Sequence, residues 1–264
     1  MYTEYWKLKS HPFKNVPDPD FFYYSSKHEE AIARLLYAVR ESQGAAMLTG
    51  DVGSGKTTVS RVFLQQLSND RYEVVLIVNP RLSPDDFLKE ILCQLNESPS
   101  TNAKSELLRT LHQRMMKNIE NKKSTVIIID EAQLVTDNMT LEELRLLLNF
   151  QLTDKFLLTL ILIGQVELKN TINKIKQLEQ RISIKYHLEP LNIEETASYI
   201  LLRLEKAGSG RNMFTREALN KIYQYSQGIP RKINNMCNLA LLIGFSSKAK
   251  TVDSNIIDEV IKEL

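Results

Sequence analysis

Ala45-Ala46-Met47-Leu48-Thr49 runs directly into Gly50-Asp51-Val52-Gly53-Ser54-Gly55-Lys56-Thr57-Thr58. A short apolar run ends in a glycine-rich turn, and Val59, Val62, Phe63 and Leu67 then recur at helical spacing. Strand, loop and helix in that order give the pattern GxxxxGK[ST] the context that confirms it. Glycines let backbone N–H groups turn inward and wrap phosphate oxygens, and the helix N-terminus adds partial positive charge. Gly50 through Thr58 are therefore the expected phosphate loop. Lys56 is expected to reach the β- and γ-phosphates, and the Thr57 hydroxyl to ligate Mg²⁺.

Working outward, Glu73–Asn79, Thr125–Asp130 and Phe156–Ile163 are compact Val/Ile/Leu runs, as expected of strands buried on both faces of a parallel sheet. Ile182–Leu188 alternates and reads as a strand with one wetter face. Helical patterns lie between them. Ser83-Pro84-Asp85-Asp86 is a helix start, followed by Phe87, Leu88, Ile91, Leu92 and Leu95 on one stripe. Asn102 is the expected cap of a helix carrying Leu107, Leu108, Leu111 and Met115, and Thr140-x-x-Glu143 reads as a capping box. The fold class is α/β, a doubly wound parallel sheet of the P-loop type.

After Pro190 the strand signal stops. Asn192-x-x-Glu195 opens a helix with Ile193, Ala197, Ile200, Leu201 and Leu204 inward. Thr215 opens a second, Pro230 a third, and Asp253 or Ser254 caps a fourth. The expected division is a nucleotide-binding core over 1–190 and a helical lid over 191–264.

The candidate chemistry sits at strand ends, where open α/β sheets bind ligands. Val126-Ile127-Ile128-Ile129 is followed by Asp130-Glu131. Asp130 is expected to hold Mg²⁺ through water, and Glu131 to act as general base toward an attacking water. Gln165, just past Phe156–Ile163, is placed to orient that water or sense the γ-phosphate. Arg181, before the last strand, has two readings: neutralising charge on a neighbouring subunit's nucleotide, or a surface ion pair. Arg231 in Gly228-Ile229-Pro230-Arg231 starts a helix that aims it toward the γ-phosphate. His28 is expected on a helix surface.

Composition excludes more than it specifies. The chain has 264 residues, 34 Lys+Arg against 32 Asp+Glu, and 43% hydrophobic residues. That is the profile of a globular protein with no charge bias toward nucleic acid or membrane. The two cysteines, Cys93 and Cys237, lack metal or disulfide spacing and read as reduced, buried small side chains. No stretch approaches the ~20 apolar residues of a membrane span, and MYTEYWKLKS lacks a signal-peptide core. The expected compartment is the cytoplasm. One nucleotide core excludes a two-domain helicase, and no LSGGQ-like segment points to an ABC-type ATPase. A small-molecule kinase lacks an evident acceptor site, and Glu131 favours water as acceptor.

The ordered set of phosphate loop, Asp-Glu strand, polar sensor, Arg before the last strand and GxPR resembles the AAA+ ATPases. Tyr5-Trp6-x-Leu8, Pro12-Phe13, Pro17-Asp18-Pro19, Phe21-Phe22-Tyr23, His28-Glu29-Glu30-Ala31, Asp130-Glu131-Ala132-Gln133 and Gly228-Ile229-Pro230-Arg231-Lys232-Ile233-Asn234 resemble the ExeA, or general secretion pathway protein A, branch. The resemblance covers nearly the whole chain. It implies Walker A roles for Lys56 and Thr57, Walker B roles for Asp130 and Glu131, sensor roles for Gln165 and Arg231, and an arginine finger near Arg181. It also implies that the segment with Pro12, Phe13 and Tyr24 lies over the adenine. Secretion-type members often continue into a membrane helix and a peptidoglycan-binding region; the resemblance here is to the ATPase module. The same core resembles transposition helpers of the MuB and TniB type, which bind duplex DNA as nucleotide-dependent filaments. The expected activity is Mg²⁺-dependent ATP hydrolysis by a nucleotide-dependent homo-oligomer acting on a secretion or envelope protein partner. The alternative is an ATP-dependent DNA-binding helper.

Overall fold

The computed structural model describes residues 2–264. The chain clusters into two compact units. One holds Glu29–Gly50 and Val59–Leu188; the other holds the described residues up to His28, Asp51–Thr58 and Glu189–Leu264. The amino-terminal segment thus groups with the carboxy-terminal helices, a partition that a single cut at residue 190 does not reproduce.

The first unit is an α/β sandwich. Strands β1 (Ala45–Gly50), β2 (Tyr72–Ile77), β3 (Ser124–Ile129), β4 (Leu158–Gly164) and β5 (Ile182–Leu188) form one sheet in the order β2-β3-β4-β1-β5. Every pairing is parallel, so all five carboxyl ends share one edge. β1 and β4 are buried at every residue, which explains their unbroken apolar runs. β5 is an outer strand, and Ser183, Lys185 and His187 face solvent as the alternation predicted.

Helices α4 (Pro84–Gln94), α5 (Lys104–Glu120) and α6 (Asn138–Leu147) pack here. Ser83 caps α4 by accepting the Asp86 N–H, and Phe87, Leu88, Ile91, Leu92 and Leu95 are all fully buried. Cys93 falls between the buried positions of that stripe and is exposed, contrary to its reading as a buried side chain. Asn118 on α5 donates to the Glu73 carboxylate at 2.5 Å and to Thr125 Oγ1 at 2.9 Å, tying the helix to two strands.

Two helix starts differ from expectation. α5 begins after Ala103 with no side-chain cap, so Asn102 does not cap it. α6 is capped by Asp137, which accepts the Met139 and Thr140 N–H groups. The Thr140 hydroxyl instead has two acceptors for its hydrogen, Asp137 Oδ2 at 3.0 Å and the Leu82 carbonyl at 3.2 Å, and Glu143 is buried in an ion pair with Lys104 at 2.5 Å. A capping-box spacing is a local signal, and a stronger acid three residues upstream overrides it.

The second unit is helical: α9 (Ile193–Lys206), α10 (Arg216–Ser226), α11 (Pro230–Ser246) and α12 (Ser254–Glu263), with α1 (Tyr2–Tyr5) against α11. Asn192 and Glu195 form the expected capping box, Thr215 caps α10, and Asp253 caps α12. The α9 stripe is rotated from the one expected. Thr196, Tyr199, Ile200, Arg203 and Leu204 are buried, while Ile193 and Leu201 are exposed. Tyr199 hydrogen-bonds Asn234 at 2.9 Å and Arg203 donates to the Lys14 carbonyl at 3.2 Å, so partners turn polar side chains inward. The amino-terminal segment joins this core through Trp6, whose Nε1 donates to the Leu241 carbonyl at 2.9 Å. Gly244 lets the indole lie close: a Cβ there would be 2.8 Å from Trp6 Cζ2. Cys237 is wholly buried, and burial pushes its thiol well above the usual range.

Candidate functional site

The candidate residues fall into two groups, one in each unit. The first is the loop that leaves β1 and opens α3 (Lys56–Gln65). Gly53 and Gly55 sit at φ +83° and +101°, a region L-residues rarely adopt. The Ser54 N–H donates to the Asp51 carbonyl at 3.2 Å, closing the turn. Lys56 is largely buried and donates from Nζ to the same carbonyl at 2.8 Å. The Ser54 hydroxyl is buried with no hydrogen-bond partner among the described residues. A curled backbone, a helix N-terminus, a buried ammonium and an unpartnered hydroxyl together make a donor-rich anion cradle.

Arg231 reaches this loop through its main chain. Its N–H, at the start of α11, donates to the Gly53 carbonyl at 3.2 Å. A Cβ on Gly53 would lie 2.6 Å from that of Arg231, so the contact needs glycine. The Arg231 side chain is exposed.

The second group lies at the carboxyl edge of the sheet. The Asp130 N–H continues the ladder to the Ile77 carbonyl at 2.9 Å, and its carboxylate accepts the Glu131 N–H at 2.9 Å. Glu131 is left-handed, at φ 52° and ψ 36°. A non-glycine residue there is uncommon and is concentrated at functional sites. Gln133 Nε2 donates to Glu131 Oε2 at 2.5 Å, and Gln165 Nε2 approaches the same oxygen at 3.4 Å. Gln133 Oε1 in turn accepts the Gln165 N–H at 3.0 Å. Glu131, Gln165 and Gln133 thus form one network.

Sequence reasoning gave Gln133 no role of its own. Gly164 leaves room for it: a Cβ there would sit 2.7 Å from Gln133 Oε1 and 2.9 Å from Leu168 Cδ2. His28 was placed wrongly. It is 5% exposed and touches the phosphate loop. It occupies the buried face of α2 (Ser26–Arg40), in line with Ile32, Leu35 and Val39; that spacing was readable.

The remaining candidates take other positions. Phe13 is 3% exposed and packs edge-on to Phe214 in the helical core. Tyr24 is 53% exposed and edge-on to Phe22. Arg181, at the end of α8 (Lys176–Arg181), donates Nη1 to the Leu148 carbonyl at 2.7 Å, capping the carboxyl end of α6.

Comparison with known proteins agrees with this geometry. Residues 39–172 match the family model described as an AAA domain. General secretion pathway protein A of Aeromonas hydrophila is 39% identical over 249 residues, which cover 93% of this chain and 45% of that protein. The chain therefore spans less than half the length of that relative. Among solved structures, the Aeropyrum pernix ORC2 protein superposes with a TM-score of 0.65 at 17% identity, covering 90% of this chain and 67% of that one. The Thermotoga maritima RuvB Holliday junction branch migration motor gives 0.62 at 18% identity, covering 91% and 70%. These likenesses are of fold. The chain belongs to the AAA domain family and, over the part they share, is similar to general secretion pathway protein A.

Proposed function

We propose that this chain binds ATP with Mg²⁺, hydrolyses it, and uses the cycle as a nucleotide-dependent oligomeric switch on a macromolecular partner. The observation that carries the reading is the phosphate loop itself: two left-handed glycines, the buried Lys56 and the unpartnered Ser54 hydroxyl, all of them donors or close-approach positions. The loop N–H groups and Lys56 hold the phosphates, with Lys56 exchanging the Asp51 carbonyl for phosphate oxygen. Thr57 and Asp130 are hard oxygen donors of the kind Mg²⁺ takes alongside phosphate and water. Bound there, the ion neutralises phosphate charge.

Glu131 accepts the proton of the attacking water. Gln165 and Gln133 fix the direction of its carboxylate. Arg231, whose main chain is anchored on Gly53, presents its exposed guanidinium to the phosphate side. Arg181 enters as a finger acting on a neighbouring subunit by exchanging the Leu148 carbonyl for that subunit's nucleotide. The resemblance to general secretion pathway protein A supports a partner in secretion or envelope machinery. No helix of the described residues is long and apolar enough to cross a membrane.

The test is Lys56→Ala. Loss of a charge-assisted contact is worth ~1.5–3 kcal/mol, so ATP binding should weaken roughly 10- to 150-fold. Calorimetric titration measures this, and light scattering with a non-hydrolysable analogue should show assembly by the wild type only. Retained tight binding by the variant removes the phosphate-loop assignment.

A further inference from the structure

Strand β2 is an outer strand, paired with β3 on one side only. The Ser124 N–H donates to the Arg71 carbonyl and the Asp130 N–H to the Ile77 carbonyl, so the odd-numbered residues turn their main-chain groups toward β3. Main-chain groups alternate in direction along a strand, and Tyr72, Val74 and Leu76 therefore present theirs outward. Such a row of outward N–H and C=O groups is a template for pairing with another chain.

Little in β2 itself discourages that. Tyr72-Glu73-Val74-Val75-Leu76-Ile77 holds no Pro, Gly or Lys, and its register with β3 runs unbroken over all 6 residues. β5, the other outer strand, carries the exposed Lys185 and a register shift against β1 at Ala45/Ala46, both of which hinder pairing.

The guard on β2 comes from α4. Gln94, at the carboxyl end of that helix, accepts the Leu76 N–H on Oε1 at 2.8 Å and donates from Nε2 to the Leu76 carbonyl at 3.0 Å. A side-chain amide thus does for Leu76 what a residue of an added strand would. Nε2 also donates to Glu90 Oε1, one turn back on α4, at 2.7 Å. A donor facing the oxygen and two acceptors facing the nitrogen fix which way round the amide lies.

We infer that Gln94 closes the outer edge of β2 against strand pairing with a second copy of this chain. Two identical edges meet antiparallel about a twofold axis. Centred on Val74, that pairing sets Leu76 of each copy opposite Tyr72 of the other, and each such pair exchanges both of its main-chain bonds. With Leu76 engaged by Gln94, the central Val74 pair is all that remains. The inference does not depend on ATP binding, and its test is run without nucleotide.

Sedimentation velocity over a concentration series and amide hydrogen exchange read it out. In the wild type the Leu76 N–H should exchange slowly for an outer strand. In Gln94→Ala, diluted until monomeric, that amide should exchange roughly 10-fold faster, the range for one hydrogen bond. On concentration the variant should associate roughly 30-fold more tightly than the wild type or better, because two hydrogen-bonded pairs are restored. Gln94→Glu keeps the side-chain volume but sets a carboxylate against Glu90 and the Leu76 carbonyl, and should associate as well. Val74→Pro removes the central outward donor and leaves the bonds to β3 in place. Added to Gln94→Ala, it should restore wild-type sedimentation. A Gln94→Ala protein that sediments as the wild type does at every concentration overturns the inference, as does association that survives Val74→Pro. Wild-type exchange at Leu76 as fast as that of an unpaired amide overturns it too, without requiring any variant to fold.

Discussion

Glu131→Gln should bind ATP within a few-fold of the wild type and turn it over ~10²–10⁴ times more slowly, the range for losing a positioned general base. The substitution keeps volume and leaves an amide oxygen for the Gln133 N–H, which now meets the carboxylate at 2.5 Å. The network with Gln165 thus persists while the proton acceptor is gone. Glutamine also tolerates the left-handed backbone at φ 52° about as well as glutamate does, so a folding defect is not expected. Single-turnover hydrolysis separates the chemical step from nucleotide release. Turnover at the wild-type rate would transfer the role of base to another residue.

Gly228→Ala should cost about 4 kcal/mol or more, among the largest losses a single methyl group produces. The residue is at φ +72°, and an added Cβ would lie 1.8 Å from the Leu191 carbonyl oxygen. That neighbour is main chain and has no rotamer to escape into. The two residues are also hydrogen-bonded, since the Leu191 N–H donates to the Gly228 carbonyl at 3.0 Å. The clash therefore breaks the link between the segment leading into α9 and the α10–α11 turn, two residues before Pro230 and three before Arg231. Gly210→Ala is the control, because nothing lies within 4 Å of its added Cβ. Denaturant melts should show a large fall in midpoint for the first and little change for the second. Equal midpoints would mean the turn relaxes without cost.

The difference between what the sequence disclosed and what it hid follows the range of the forces involved. β1 and the glycine-rich turn into α3 were legible because their signals are contiguous: an apolar run, glycines at fixed offsets, a helix start. Asp130 and Glu131 were legible for the same reason, as an apolar strand ending in two acids. Gln133 was overlooked because its partners lie at positions 131 and 165, and only the pairing of β3 with β4 brings those together. His28 was misplaced because a charged-looking HEEA start suggests a solvated helix face; packing against Ser54 and Gly55 decides otherwise. The α6 cap shows competition, where Asp137 displaces Thr140. The inward stripe of α9 was misread because Tyr199 and Arg203 find polar partners on other segments, a tertiary compensation that hydropathy does not encode.

The contrast between the two cysteines has a practical side. Cys93 is exposed on α4, and Cys237 is wholly buried with its thiol held protonated. The thiolate is the reactive form, so a maleimide dye added to the folded protein should mark position 93 and spare 237. The native sequence thus supplies a single attachment point for a fluorophore or spin label, and the assembly proposed above could be tested optically without removing or adding a cysteine.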